Sequence, residues 1–174
     1  MNTLIIYGSQ YGTTKRYAEK FAEMKHFPVI SYEDIKTLTD YERIIYFGAL
    51  YAGGVKGLKN TVKKISPSTK LIIVTVGLAD VCDQENISNI LNSIRKQVPE
   101  HLFKAASFFH LRGGIDYSKL NFKHRTMMKM VYHSLKSKPA ESLTQEDKTF
   151  IETYNKKVDF VDYDSLKQIA EATQ

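Results

Sequence analysis

Four runs of the chain are almost continuously apolar: Thr3–Tyr7, Arg43–Gly48, Leu71–Gly77 and Ala105–Leu111, with a weaker fifth at Phe27–Ser31. Continuous rather than alternating apolar residues suit strands covered on both faces. Between these runs, apolar positions recur at helical spacing. Thr13–Lys25 puts Tyr17, Ala18, Phe21, Ala22 and Met24 on its buried side. Val55–Ile65 aligns Val55, Leu58, Val62 and Ile65. Gln84–Val98 aligns Ile87, Ile90, Leu91 and Ile94, with Asp83 placed as its N-cap. Regular alternation of strand and helix predicts an α/β fold, a doubly wound five-stranded parallel sheet.

The alternation stops after Leu111. Gly113 and Gly114 precede a long helical pattern, about Ser118–Leu135. A polar segment with Pro139 follows, then helical patterns at about Gln145–Tyr154 and Tyr163–Ala172. The chain therefore reads as a single domain, 1–174, with a helical insertion of about 112–160 after the strand-5 region. Connections of that length inside compact domains are usually functional.

Composition narrows the class. The 174 residues are 43% hydrophobic, enough for one compact core. A lone cysteine, Cys82, excludes an intramolecular disulfide framework and any multi-cysteine metal or cluster site. The start shows no targeting segment, and no apolar run nears the ~20 residues that span a bilayer; a soluble, cytoplasmic protein is expected. The net charge of +6 is unevenly spread: residues 112–138 hold seven Lys/Arg against one Asp/Glu, and residues 139–174 hold four against eight. Leu120, Met127, Met128, Val131 and Leu135 share one side of the predicted helix there, with Lys119, Lys123, Lys129 and Lys136 mostly elsewhere. Two readings stand. The stripe packs on the sheet and the lysines are solvated, or a basic amphipathic helix at about 118–137 meets an anionic membrane surface or an acidic ligand. Methionines adapt to flat apolar ligands. No nucleic-acid partner is expected.

The clearest candidate chemistry lies where Thr3–Tyr7 runs through Gly8-Ser9-Gln10-Tyr11-Gly12-Thr13-Thr14 into a helix. Unpaired N–H groups and the positive end of the helix dipole make such a loop an anion site. It lacks the Gly-Lys-Ser/Thr ending of a triphosphate loop and the glycine spacing of a dinucleotide fingerprint. It has no Lys or Arg before Lys15. Neutral donors suit a single terminal phosphate monoester, held by backbone N–H groups and the Ser9 and Thr14 hydroxyls. The plainer reading is a strand-to-helix turn with a threonine N-cap.

Ile5-Ile6-Tyr7-x-Ser9-x-x-Gly12-x-Thr14-x-x-x-Ala18 resembles the FMN-phosphate signature of the flavodoxins. Ile45-Tyr46-Phe47-Gly48-Ala49-Leu50-Tyr51-Ala52-Gly53-Gly54 is similar to the end of their third strand and its loop. Val74-Thr75-Val76-Gly77-Leu78-Ala79-Asp80 is similar to the end of the fourth. The resemblance implies strand order 2-1-3-4-5 with FMN in the crevice at the carboxyl ends of the strands. It assigns the phosphate to Ser9, Gln10, Tyr11, Gly12, Thr13 and Thr14. It lays Ala49, Leu50, Tyr51, Ala52, Gly53 and Gly54 along the flavin ring, with Tyr51 stacking and Gly53 or Gly54 turning near N5. Gly77, Leu78, Ala79 and Asp80 take the other face or the pyrimidine edge through their main chain. No side chain is assigned as catalytic. Cys82 is either a flavin-adjacent thiol or a packing residue; His110 and Arg112 either reach a substrate or end their strand.

Phe109-His110-Leu111-Arg112-Gly113-Gly114-Ile115-Asp116-Tyr117-Ser118-Lys119-Leu120, then Arg125-Thr126-Met127-Met128-Lys129-Met130 and the turn Asp162-Tyr163-Asp164, resemble the flavodoxin-type, quinone-dependent protoporphyrinogen oxidase (dehydrogenase) group. That likeness implies an FMN-dependent oxidoreductase of heme biosynthesis. It would pass electrons from protoporphyrinogen IX through FMN to a quinone, in the cytoplasm or peripherally at the inner face of the membrane. Here Leu50–Val55 is shorter than in that group and Ser137–Asp159 longer. The alternatives are a basic flavodoxin carrying electrons to a redox-partner protein, and a regulatory domain that binds no flavin.

Overall fold

The computed structural model describes residues 1–173. Strands β1 (Thr3–Gly8), β2 (Val29–Ser31), β3 (Arg43–Tyr51), β5 (Lys70–Gly77) and β6 (Ser107–Arg112) form a parallel sheet in the order β2-β1-β3-β5-β6, which is the expected 2-1-3-4-5. A two-residue strand, β4 (Gly54–Val55), turns back antiparallel on the end of β3.

The continuous apolar runs are explained by two covered faces. On one face Leu4, Ile6, Ile44, Tyr46, Leu71 and Ile73 meet α2 (Leu58–Val62), α3 (Gln84–Arg95) and α4 (Glu100–Ala105). On the other, Ile5, Ile45, Phe47, Ile72 and Val74 meet α1 (Thr13–Lys25) and α7 (Leu166–Glu171). Burying each large apolar side chain contributes about 1.5–3 kcal/mol relative to leaving it exposed.

Several local expectations are corrected. Met24 is 41% exposed, because α1 turns its buried stripe along Tyr17, Ala18, Phe21 and Ala22. The helix expected over Val55–Ile65 is only Leu58–Val62: Val55 pairs in β4, and Gly57 takes φ 76° at the N-cap. The helix beginning at Gln84 stops at Arg95, and a separate α4 starts after Pro99, so Ala105 ends a helix and β6 begins at Ser107. Asp83 caps α3, its carboxylate accepting from the Asn86 N–H at 2.8 Å.

The region after β6 is stitched to the domain at both ends. β7 (Gly114–Asp116) and β8 (Lys157–Asp159) form a two-stranded antiparallel ribbon. Between them lie α5 (Phe122–Lys136), which starts at the Asn121 cap rather than at Ser118, and α6 (Gln145–Thr153), which starts at a Thr144–Asp147 capping box. Helix α1 grips the ribbon: Thr13 Oγ1 donates to the Gly114 carbonyl at 2.9 Å, and Arg16 pairs with Asp159 at 2.8 Å. The Tyr17 hydroxyl donates to the Arg112 carbonyl and accepts from the Asp162 N–H. Ile115, Tyr117 and Met128 make a third, smaller apolar cluster joined by Tyr11, Phe150 and Tyr154. Among the described residues no helix is long and apolar enough to cross a membrane.

Candidate functional site

A cavity of about 500 Å³ opens at the carboxyl ends of β1, β3 and β5, under α5 and α6. Its floor contains Gln10, Tyr11, Thr13 and Thr14 from the first loop, Ala49 to Gly54 from the second, and Gly77 and Leu78 from the third. These twelve expected residues come together around one space. Ser9, Gly12, Ala79 and Asp80 do not line it. The Ser9 hydroxyl instead accepts from the Gly12 N–H at 3.0 Å and closes the loop. The Asp80 carboxylate accepts from the Cys82 N–H, and its carbonyl from Asn86, so the third loop turns away after Leu78.

The first loop is built as an anion cradle. Gly12 is the N-cap of α1 with φ 92°, and among the described residues no side chain caps the helix, so the threonine cap of the plainer reading is absent. The N–H groups of Gln10, Tyr11, Thr13 and Thr14 have no protein acceptor among the described residues. Two unpaired donors in the loop and two in the first turn of the helix leave room for an acceptor that the chain does not supply. A lysine also reaches the loop from afar: the Lys56 ammonium donates to the Gln10 side-chain oxygen and sits 5.8 Å from the Tyr51 ring centre.

The second loop is held open from behind. Ser93 Oγ donates to the Gly53 carbonyl at 2.6 Å, and the Gln97 side-chain oxygen accepts from the Val55 N–H at 2.8 Å, both from α3 or just past it. Ala52 and Gly53 both have positive φ, 51° and 75°. The third loop is pinned on two sides. Arg112 Nε and Nη2 donate to the Leu78 carbonyl at 3.0 and 2.7 Å, with the guanidinium 3.8 Å over Phe160. Glu146 of α6 accepts from the Leu78 and Ala79 N–H groups at 2.8 and 3.0 Å. The main-chain donors expected to meet a ligand edge are thus already taken by a carboxylate of the insertion.

Helix α5 forms the roof. The Tyr51 hydroxyl lies 3.2 Å from Met127 Sδ, the Tyr11 hydroxyl 3.7 Å from Met128 Sδ, and Gln10 Nε2 is 3.2 Å from His124 Nε2. Met127, Met128, Val131 and Leu135 line the cavity from α5, and Phe150, Glu146 and Asp147 from α6. Burial raises the Tyr11 hydroxyl pKa well above its ordinary 10.0, with the nearby Tyr51 and Tyr117 hydroxyls adding to it. Burial likewise pushes Tyr117 up to about 12; its hydroxyl is buried without a partner among the described residues.

Cys82 is exposed and outside the cavity lining. His110 lies beneath the floor, its Nδ1 2.7 Å from Thr75 Oγ1, with its pKa lowered by burial. Arg112 braces the third loop. Lys56, Glu146, Asp147 and Phe150 carry no ligand-binding signal in the sequence; each reaches the site from a segment without a binding motif. The α5 methionines did carry a signal, their shared helical face.

The sequence profile of the flavodoxin domain matches residues 4–142, and the chain belongs to that family. No functionally curated protein matches the chain. Among solved structures it is similar to a flavoprotein from Lactobacillus acidophilus NCFM in complex with FMN (12% identity, 64% of this chain and 91% of that one, TM-score 0.43). It is also similar to a cysteine-to-alanine mutant of flavodoxin from Pseudomonas aeruginosa (16% identity, 75% and 93%, TM-score 0.40). The cavity fits FMN on its own features: a donor-only cradle for one phosphate, and beyond it an apolar slot between the Tyr51 loop and Gly77–Leu78.

Proposed function

We propose that the chain holds FMN in this cavity and acts as an FMN-dependent oxidoreductase on a flat, apolar reduced substrate, with a quinone as electron acceptor. Protoporphyrinogen IX is the substrate that the sequence resemblance implies. The observation that carries the reading is the second wall of the cavity. Met127, Met128, Val131 and Leu135 on α5, with Phe150 on α6, face the three loops across it. A redox group that only exchanges electrons with other proteins works at an open edge; an adaptable apolar roof suits a planar organic partner.

FMN, when bound, supplies the electron-transfer chemistry that no side chain here has. The chain's own residues hold and orient it. The Gln10, Tyr11, Thr13 and Thr14 amides, with the Thr14 hydroxyl, would take the phosphate, and Lys56 adds a positive charge beside that loop. Tyr51 and Gly53 would lie along the ring. The α5 methionines keep water from it. On this reading the protein works in the cytoplasm or peripherally at the inner face of the membrane, where quinones are found.

The test is anaerobic, FMN-dependent formation of fluorescent protoporphyrin with menaquinone as acceptor. Turnover supports the enzyme; no turnover by FMN-loaded protein overturns it. The carrier reading has its own observation: Phe122 and Met130 are 86% and 68% exposed on α5 among Lys123 and Lys129, a basic and apolar face for an acidic redox partner. Fast electron exchange with a reductase, without porphyrin formation, identifies the carrier.

A further inference from the structure

Glu146 reverses the polarity of one end of the cavity. Its two carboxylate oxygens each accept one backbone N–H, from Leu78 and Ala79, at 2.8 and 3.0 Å. The same oxygens lie against the end of β5: a Cβ added at Gly77 would sit 3.2 Å from both. Among the described residues no Lys, Arg or His reaches within 4 Å of this carboxylate. Two neutral amide donors fix it in place without a formal counter-charge. It lines the cavity beside Gly77 and Leu78, where the flavin ring would meet the third loop. Where free backbone amides would offer hydrogen-bond donors, the insertion presents an anion.

We propose that Glu146 is a positioning residue that sets the electron affinity of the bound flavin. This rests on the FMN reading above. Reduction of FMN by two electrons with uptake of one proton leaves one extra negative charge on the ring, concentrated at its pyrimidine edge. A fixed carboxylate beside the ring opposes that charge. The reduced form is disfavoured, and the flavin is held as a stronger donor toward its acceptor.

The experiment compares wild-type and Glu146→Gln holoprotein, reduced anaerobically with dithionite against a redox dye of known potential. The equilibrium constant for two-electron reduction rises about tenfold in the variant, equivalent to about 30 mV. Glu146→Asp, which keeps the charge, retains most of the wild-type value. Glu152→Gln, an exposed change on the same helix, leaves it unmoved. Glu146→Ala, which frees both amides, shifts it in the same direction as Glu146→Gln and provides a second variant; thermal melts show which variants are folded. An equilibrium within twofold of wild type in Glu146→Gln or Glu146→Ala overturns the proposal. So does a shift in Glu146→Asp as large as in Glu146→Gln, which would mark lost packing rather than lost charge. Wild-type protein that binds no FMN overturns the functional reading itself, whereas FMN binding with an unshifted equilibrium overturns this inference alone.

Discussion

Ala52 holds a left-handed backbone, φ 51°, next to Gly53 at φ 75°. A Cβ in that conformation costs about 1 kcal/mol, and the cost falls in the loop that faces the cavity, as strained residues at binding sites often do. Ala52→Gly should therefore stabilise the protein by about 1 kcal/mol in denaturant unfolding, with no new contact formed. His110 gives a different kind of prediction. Burial lowers its pKa from the ordinary 6.5, so the unfolded chain takes up the proton first. Stability from this group is complete above about pH 6.5 and falls as the pH drops below it. Unfolding midpoints measured from pH 7 to 5 should decline, and His110→Gln should flatten that decline. An unchanged slope would show that other groups govern acid sensitivity. Tyr46 shows how a core residue shapes the site: its buried hydroxyl donates to the Lys56 carbonyl at 2.5 Å, fixing the turn from which Lys56 reaches Gln10.

At the level of elements, the first turn of α6 carries more than the helix itself. Its capping box pairs Thr144 with Asp147, and Glu146 lies between them with its carboxylate on the third loop. Thr144→Ala should cost about 1 kcal/mol, and the loss should be felt 66 residues away in sequence, at Leu78. Hydrogen exchange at the Leu78 and Ala79 amides is the measurement; protection there should drop while protection in β5 stays. The same elements show what could be read in advance. β1, β3, β5 and α1 were legible because each is a long run with one period, and the phosphate loop because strand, turn and helix start are contiguous. β7 and β8 were not, since three residues show no periodicity and pair only across the whole insertion. β4 was hidden inside a helical stripe, because Val55 fits both a helix face and a strand end. Lys56 and Glu146 had no local signal: their partners lie 46 and 67–68 residues away.

At the scale of the whole molecule, two large apolar clusters flank the sheet and a third, smaller one lies inside the insertion. The first two are made without any residue of α5 or α6. The ribbon that bounds the insertion has Asp116 directly across from Lys157, an antiparallel pair that also makes a 3.7 Å ion contact. Two strands in such register can be joined by a two-residue turn. Replacing residues 117–156 by Asn-Gly should leave a folded, shortened protein with a tight hairpin at that point. Cooperative melting and retained far-ultraviolet dichroism would show it; an unfolded product would mean that the roof is needed to hold the sheet. The ribbon is then a socket. A lineage could exchange what is plugged into it, lengthen it or remove it, while inheriting the cradle beneath unchanged.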